Sequence, residues 1–290
     1  SQSVRPPPLP NETRIVWTTD IHLNFVDAET LLGFCQSLRD AQAAAVVISG
    51  DISEGNRVTR DLAELSRLIE RPILFVLGNH DFYRAGLDQV RREVGYFTRD
   101  HRGLRWLTDF GPVGLGPDVA VIGHDGWADG RLGDYNRSKL MLNDYLLIQE
   151  FSDLYINRGI DAEDQVKRDR LELLHRLGDQ AAAALETKLR DALDHFRRIV
   201  LVTHVPPYRQ ACWHRGRIAE EEWLPHFGCR AVGDMIDRVM ADHPDHRLTV
   251  LCGHVHSEGE YRPRPNVRVL TGGATYGAPR INGLFDLSGF

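Results

Sequence analysis

Arg14-Ile-Val-Trp-Thr-Thr19, Ala45-Val-Val-Ile-Ser49 and Ile73-Leu-Phe-Val-Leu77 are three short apolar runs separated by segments of helical periodicity. Leu31, Leu32, Phe34, Cys35 and Leu38 share a face between Ala28 and Ala41, and Leu62, Leu65 and Leu68 do so between Val58 and Ile69. The order is therefore β-α-β-α-β. Strands that are apolar at every position predict a sheet covered on both faces.

Outward from this core, Val119-Ala-Val-Ile-Gly123, Arg198-Ile-Val-Leu-Val-Thr203 and Leu248-Thr-Val-Leu-Cys252 read as further strands. Val232 to Met240 reads as a helix, and Gln165 to Phe196 as a long helical region that bends or breaks at Gly178. Val267-Arg-Val-Leu270 and the Gly-rich tail read as closing β structure. Residues 127–165 carry aromatics, amides and charges without a period, as an inserted loop region or cap would. Residues 1–12 are polar and Pro-rich and read as a disordered leader, leaving residues 13–290 as a single domain.

Composition removes several classes of function. The chain has 290 residues with net charge −6, so no global basic field announces nucleic-acid binding, although a local basic groove is compatible with it. Lysine stands only at positions 139, 167 and 188, the other basic positions being arginine, as in a GC-rich bacterial genome. Four scattered cysteines form no disulfide framework and indicate a reducing, cytoplasmic setting. No apolar window approaches the ~20 residues of a membrane span, and no signal-peptide h-region is seen. The absence of G-x-x-x-x-G-K-[ST] and G-x-S-x-G argues against P-loop and serine-esterase chemistry.

Five polar blocks stand directly after predicted strands, where open α/β sheets place their ligand sites: Asp20-Ile-His22, Gly50-Asp51, Gly78-Asn-His-Asp81, His204 and Gly253-His-Val-His256. In D-x-H and H-x-H an extended backbone would send both outer side chains to one side, where they can share an ion. Carboxylate, imidazole and amide ligands together suit Mn²⁺, Fe²⁺, Zn²⁺ or Ni²⁺ better than Ca²⁺. Singly, each block has an ordinary structural explanation, a cap, a turn or a core histidine. Jointly, in this order, they indicate a metal site.

The series D-x-H, G-D, G-N-H-D, H, G-H-x-H resembles that of the calcineurin-like metallophosphoesterases. The resemblance implies a four-layer α/β/β/α sandwich of two mixed sheets and a binuclear metal centre. Asp20, His22 and His256 would hold one ion, Asn79, His204 and His254 the other, and Asp51 would bridge them. Such a pair of ions clamps phosphoryl oxygens and lowers the pKa of a shared water to give a bridging hydroxide. Mn²⁺ is the first expectation for both ions. Asp51, Asn79 and His80 would serve catalysis, His80 stabilising phosphoryl charge or protonating the leaving oxygen. Asp81 would orient His80 or simply form a turn.

Departures from the family's subgroups point away from protein phosphatases, which carry G-D-x-V-D-R-G and G-N-H-E, since this chain has Gly50-Asp-Ile-Ser-Glu-Gly55 and Asp81. The tyrosine ligand of purple acid phosphatases is absent as well. A phosphodiesterase on a nucleotide-like, nucleic-acid or small diester substrate is the leading expectation. A phosphomonoesterase and a non-catalytic protein-binding scaffold are the alternatives. His124, Trp127, Arg131 and Arg137 are candidate substrate contacts, and Trp127, Tyr135 and Tyr145 a candidate apolar wall. Cys212, His214, His226 and Cys229 suffice in number, but not in spacing, for a zinc site.

Overall fold

The chain is described by a computed structural model over residues 14–156 and 162–290; the expected leader, residues 1–12, lies outside the described residues. The first half runs β1 (Arg14–Thr18), α1 (Ala28–Asp40), β2 (Ala45–Ser49), α2 (Val58–Ile69), β3 (Ile73–Val76), α3 (Leu87–Asp100) and β4 (Leu104–Trp106). The middle comprises β5 (Val113–Gly114), β6 (Val119–His124), α4 (Asp144–Leu147), α5 (Gln149–Ile156) and α6 (Glu163–Leu193). There follow β7 (Arg198–Thr203), β8 (Trp213–His214), β9 (Arg217–Ile218), α7 (Leu224–Phe227), α8 (Arg230–Ala241) and β10 (Arg247–Cys252). The chain closes with β11 (Gly259–Arg264), β12 (Val267–Thr271) and β13 (Gly283–Asp286).

Two mixed sheets result, ordered β13-β1-β2-β3-β4 and β11-β12-β10-β7-β6-β5. Strand alternation divides each apolar run between two cores. Ile15, Trp17, Val47, Leu74 and Val76 meet Val121, Val200, Val202 and Leu251 between the sheets. Their neighbours Val16, Val46, Ile48 and Phe75 face outward onto Phe34 and Leu38 of α1 and Leu62 and Leu65 of α2. In the second sheet Ile122, Ile199, Leu201 and Val250 pack against Leu185 and Leu189 of α6 and Ile236 of α8. The layers are thus α/β/β/α, the reason these strands need apolar residues on both faces. Parallel pairing of β1 with β2, β2 with β3, and β7 with β10 brings their carboxyl ends to one edge.

The bend expected at Gly178 is absent, for α6 is continuous from Glu163 to Leu193. Glycine is needed there for packing: a Cβ at this position would lie 2.5 Å from Cβ of the fully buried Asp129. Asp129 in turn accepts from Ala231 N–H at the start of α8 (2.9 Å) and pairs with Arg131 (3.0 Å). The described part of 127–165 is packed structure: Trp127, Tyr135, Tyr145 and Phe151 share a core with Leu173, Leu174 and Leu177 of α6. Arg170, itself buried, lies over the Tyr145 ring at 4.3 Å and donates to Tyr135 Oη at 2.7 Å. These long-range side-chain contacts give the stretch its order without leaving a period in the sequence.

Gly→Ala in an ordinary helix interior stabilises by about 1 kcal/mol. Gly178→Ala should instead destabilise the protein by about 1–3 kcal/mol through overpacking against Asp129. Urea unfolding measures it, and a gain in stability would contradict the close approach.

Candidate metal centre

The five blocks meet at the carboxyl edge of the two sheets, but not on extended backbone. Asp20 (φ 50°), His22 (41°), Asp51 (52°), His254 (73°) and His256 (58°) are all left-handed, five of nine such non-glycine residues among those described. The expectation that a continued strand aligns D-x-H and H-x-H is therefore corrected: the chain turns at each of these five residues and aims it across the gap. Left-handed backbone costs roughly 1–2 kcal/mol per residue, so other interactions must hold it. Asp20 N–H donates to Gly50 O and His22 N–H to Asp51 O, both at 3.0 Å. His254 N–H lies 3.1 Å from both Asp20 carboxylate oxygens, and Gly253 N–H donates to His204 O at 2.9 Å. The glycines leave room, since a Cβ at Gly78 would overlap Asp51 Oδ1 and one at Gly253 would overlap Asp20 Oδ2.

Asp20, His22, Asp51 and His256 each offer a ligand atom, all within 4.8 Å of one another. His22 Nε2 lies 3.2 Å from His256 Nε2 and 3.7 Å from Asp51 Oδ2, and His256 Nε2 lies 3.3 Å from Asp20 Oδ1. Beside this group, Asn79 Oδ1 is 3.0 Å from His204 Nε2 and 2.9 Å from His254 Nδ1. His204 Nε2 is 3.4 Å from Asp51 Oδ1. The two oxygens of Asp51 thus face different groups, Oδ2 toward His22 and Oδ1 toward His204. Mixed oxygen and nitrogen donors that converge in a buried space fit borderline divalent cations.

Electrostatics agree with that fit. Burial lowers His22 to about 4, leaving a neutral imidazole with a free lone pair, and burial also lowers His254. Burial would raise Asp51, but the His204 and His80 imidazoles outweigh it and hold the carboxyl well below its usual range. Against burial, Asp51 lifts His204 to about 10, and Asp20 raises His256. A proton on His204 stands where a cation would, near the buried Asp51 and Asp20 carboxylates. Asp81 is fully buried and accepts from Ile52, Ser53 and Gly78 N–H; burial and then the Asp51 charge push it up to about 8 against those three donors. It braces the loops that carry Asp51 and Asn79.

His80 stacks on Tyr83 with ring centroids 4.2 Å apart, and its Nε2 stands 3.9 Å from Asp51 Oδ2. Four neighbours of the cluster belong to no motif. Tyr276 and Phe25, half exposed with centroids 5.0 Å apart, flank it, Tyr276 lying 4.6 Å from His22 and 5.0 Å from His256. Asp144 accepts from Asn79 Nδ2 at 2.8 Å and from Tyr83 Oη at 2.7 Å. The sequence singles out only the 127–165 stretch as a whole, and Asp144 is its point of contact.

Other candidates are engaged elsewhere. Trp127, Tyr135 and Tyr145 are buried, so none of them forms an exposed wall. Trp127 stacks on Phe151, Arg131 pairs with Asp129 and Asp179, and His124 Nδ1 accepts from Gly126 N–H. Arg137 is exposed and its backbone N–H donates to Asp134. No zinc cluster forms from Cys212, His214, His226 and Cys229: the His226 nitrogens meet the hydroxyls of Ser138 and Tyr145, His214 stacks on Trp223, and both cysteines are buried and unpaired.

The calcineurin-like phosphoesterase family model matches residues 13–258, and the chain belongs to that family. It is a metal-dependent phosphoester hydrolase, and family and cluster together point to a binuclear divalent metal site. No curated protein matches the chain. Among solved structures it is similar to a phosphopantetheinyl hydrolase from Mycobacterium tuberculosis, at TM-score 0.60 and 16% identity over 93% of this chain and 95% of that one. The protein TT1561 of Thermus thermophilus gives 0.56 and 18% over 96% of each chain. A dimetal phosphatase from Danio rerio gives 0.54 and 13% over 92% and 89%. At these identities the likeness is one of fold. Among the described residues no helix is long and apolar enough to cross a membrane.

A histidine whose folded pKa is raised contributes stability that is fully present below its unfolded pKa and lost as pH rises through the folded value. Metal-stripped protein should therefore lose stability between about pH 6.5 and about pH 10 as His204 gives up its proton beside Asp51. Mn²⁺ should remove that loss. Thermal melts across the range with chelator and with Mn²⁺ measure both, and a flat profile without metal would contradict the coupling.

Proposed function

We propose that the chain hydrolyses phosphodiesters bearing an aromatic, nucleotide-like substituent. Asp20, His22 and His256 would hold one divalent ion, Asn79, His204 and His254 the second, and Asp51 would bridge them, with Mn²⁺ the first choice of metal. When bound, the ions supply charge to the phosphoryl oxygens and acidify a water between them. The observation that carries the diester reading is the half-exposed Phe25–Tyr276 pair beside His22, His80 and His256. It offers the flat surface on which a base or aryl group rests.

Charge supports the same reading. A monoester dianion favours free cations at the rim, yet the arginines on the adjoining segments, Arg84 and Arg280, are paired with Glu54 and Glu258. A diester carries one negative charge and needs less compensation. His80 keeps part of its ring accessible and faces the cluster, in reach of a leaving oxygen. We place residues 13–290 in one domain in which Asp144 and Tyr145, within the 127–165 stretch, buttress the site from the side. Four buried, unpaired cysteines are in keeping with a reducing, cytoplasmic setting.

With Mn²⁺, kcat/KM for bis-p-nitrophenyl phosphate should exceed that for p-nitrophenyl phosphate, and Tyr276→Ala should raise KM for the diester about tenfold with kcat largely kept. A strong monoester preference would refute the diester reading, and an unchanged KM would remove Tyr276 from the substrate surface. His80→Ala should lower kcat by about 10²–10⁴ while two equivalents of Mn²⁺ remain bound. Loss of metal from that variant would assign His80 to the ligands instead.

A further inference from the structure

The assignment of Asn79 as a ligand raises a question that the blocks do not answer, namely what keeps its oxygen, and not its nitrogen, turned toward His204 and His254. An amide has an acceptor end and a donor end of nearly the same shape, so an external partner must set its orientation. That partner is Asp144. Its carboxylate accepts from Asn79 Nδ2 at 2.8 Å, and on the opposite side Asn79 Oδ1 meets the two imidazoles at 3.0 and 2.9 Å. A flipped amide would set Oδ1 against the carboxylate oxygen and Nδ2 toward the ion.

Asp144 is well built for this task. It is buried, it begins α4, and the same oxygen that holds Asn79 also accepts from Tyr83 Oη at 2.7 Å. Tyr83 stacks on His80, so one carboxylate oxygen ties together two side chains of the Gly78–Tyr83 segment. The helix is anchored in turn, since Leu147 O accepts from Arg84 N–H at 2.7 Å and the buried Tyr145 Oη lies 2.6 Å from His226 Nδ1. His226 O lies 2.9 Å from His254 Nε2, so α4 braces a second member of the same group through Tyr145 and His226.

We propose that Asp144 is the positioning residue of the Asn79–His204–His254 half-site: it fixes the Asn79 amide with its oxygen toward the ion, and the other half-site does not depend on it. The proposal rests on Asn79 being a ligand, as read under the proposed function.

Calorimetric Mn²⁺ titration of metal-stripped protein tests it, alongside melting temperature. Asp144→Ala should weaken one of the two ions by about 10–100-fold and leave the other unchanged, as loss of an outer partner of a metal ligand typically does. Asp144→Asn, whose amide oxygen can still accept from Asn79, should recover most of the affinity. Asn79→Ala should lose the same ion, and adding Asp144→Ala to it should cost nothing more, because a residue that acts through another is silent once that other is gone. If Asn79→Ala keeps both ions, Asn79 is no ligand and the proposal falls with that assignment. If Asn79→Ala loses an ion while Asp144→Ala binds like the parent protein, the positioning role alone is overturned. Loss of both ions from Asp144→Ala with a lowered melting temperature and no rescue by Asp144→Asn would reduce Asp144 to a structural residue, as would additive losses in the double variant.

Discussion

Two carboxylates, Asp20 and Asp51, are buried at the meeting edge of two sheets with imidazoles as their charged company. An ionised carboxylate taken out of water is tolerable only if paired, and here the protein pairs it with groups that themselves resist charging when buried. His22 stays neutral while His204 is driven to hold a proton. Such a cluster of buried carboxylates and imidazoles is the kind that a divalent cation would complete. Much of the surrounding architecture serves to bring these groups together and keep water from solvating them.

Convergence has a geometric cost. The candidate ligands follow β1, β2, β3, β7 and β10, strands of two different sheets, and must cross from their own sheet's edge into a shared gap. Turning at a left-handed residue achieves this within a few positions of the strand end, which a longer loop would do less rigidly. Asp20, His22, Asp51, His254 and His256 all take that conformation. The strain is offset by hydrogen bonds that tie the loops together, Gly253 N–H to His204 O and His254 N–H to Asp20, and by the broad inter-sheet core beneath. Glycines 50, 78 and 253 are part of the same solution, because each stands where a side chain would occupy a ligand's place.

What is legible in the sequence follows from range. The β-α-β-α-β order can be read because alternating cores impose apolar strands and helical stripes locally. The five blocks can be read because each is a short run after a strand. Gly178 misleads because its reason, the Asp129 side chain, lies 49 positions away in the chain. Trp127, Tyr135 and Tyr145 suggest an exposed role, since an aperiodic stretch rich in aromatics resembles a binding loop until its partners on α6 are known. Tyr276 and Asp144 are invisible for the same reason: nothing in their neighbours marks them, and only the fold brings one beside His22 and the other beside Asn79.

The two groups of candidate ligands differ in how they are supported. Asp20, His22 and His256 are braced by the sheets and by one another, with Tyr276 at their open side. Asn79 and His254 lean on α4 and α7, through Asp144 and the His226 carbonyl, elements that lie outside the blocks, whereas His204 Nδ1 is held 2.9 Å from Ser49 O of β2. If Asn79 is a ligand as proposed, changes around Asp144 would alter its half of the centre before the other. Because the neighbouring Tyr145 packs in the core against α6, such changes are felt first as packing and only then as chemistry. Asp144, in the stretch with the least readable sequence, thus stands where the fold brings it against the candidate ligand Asn79.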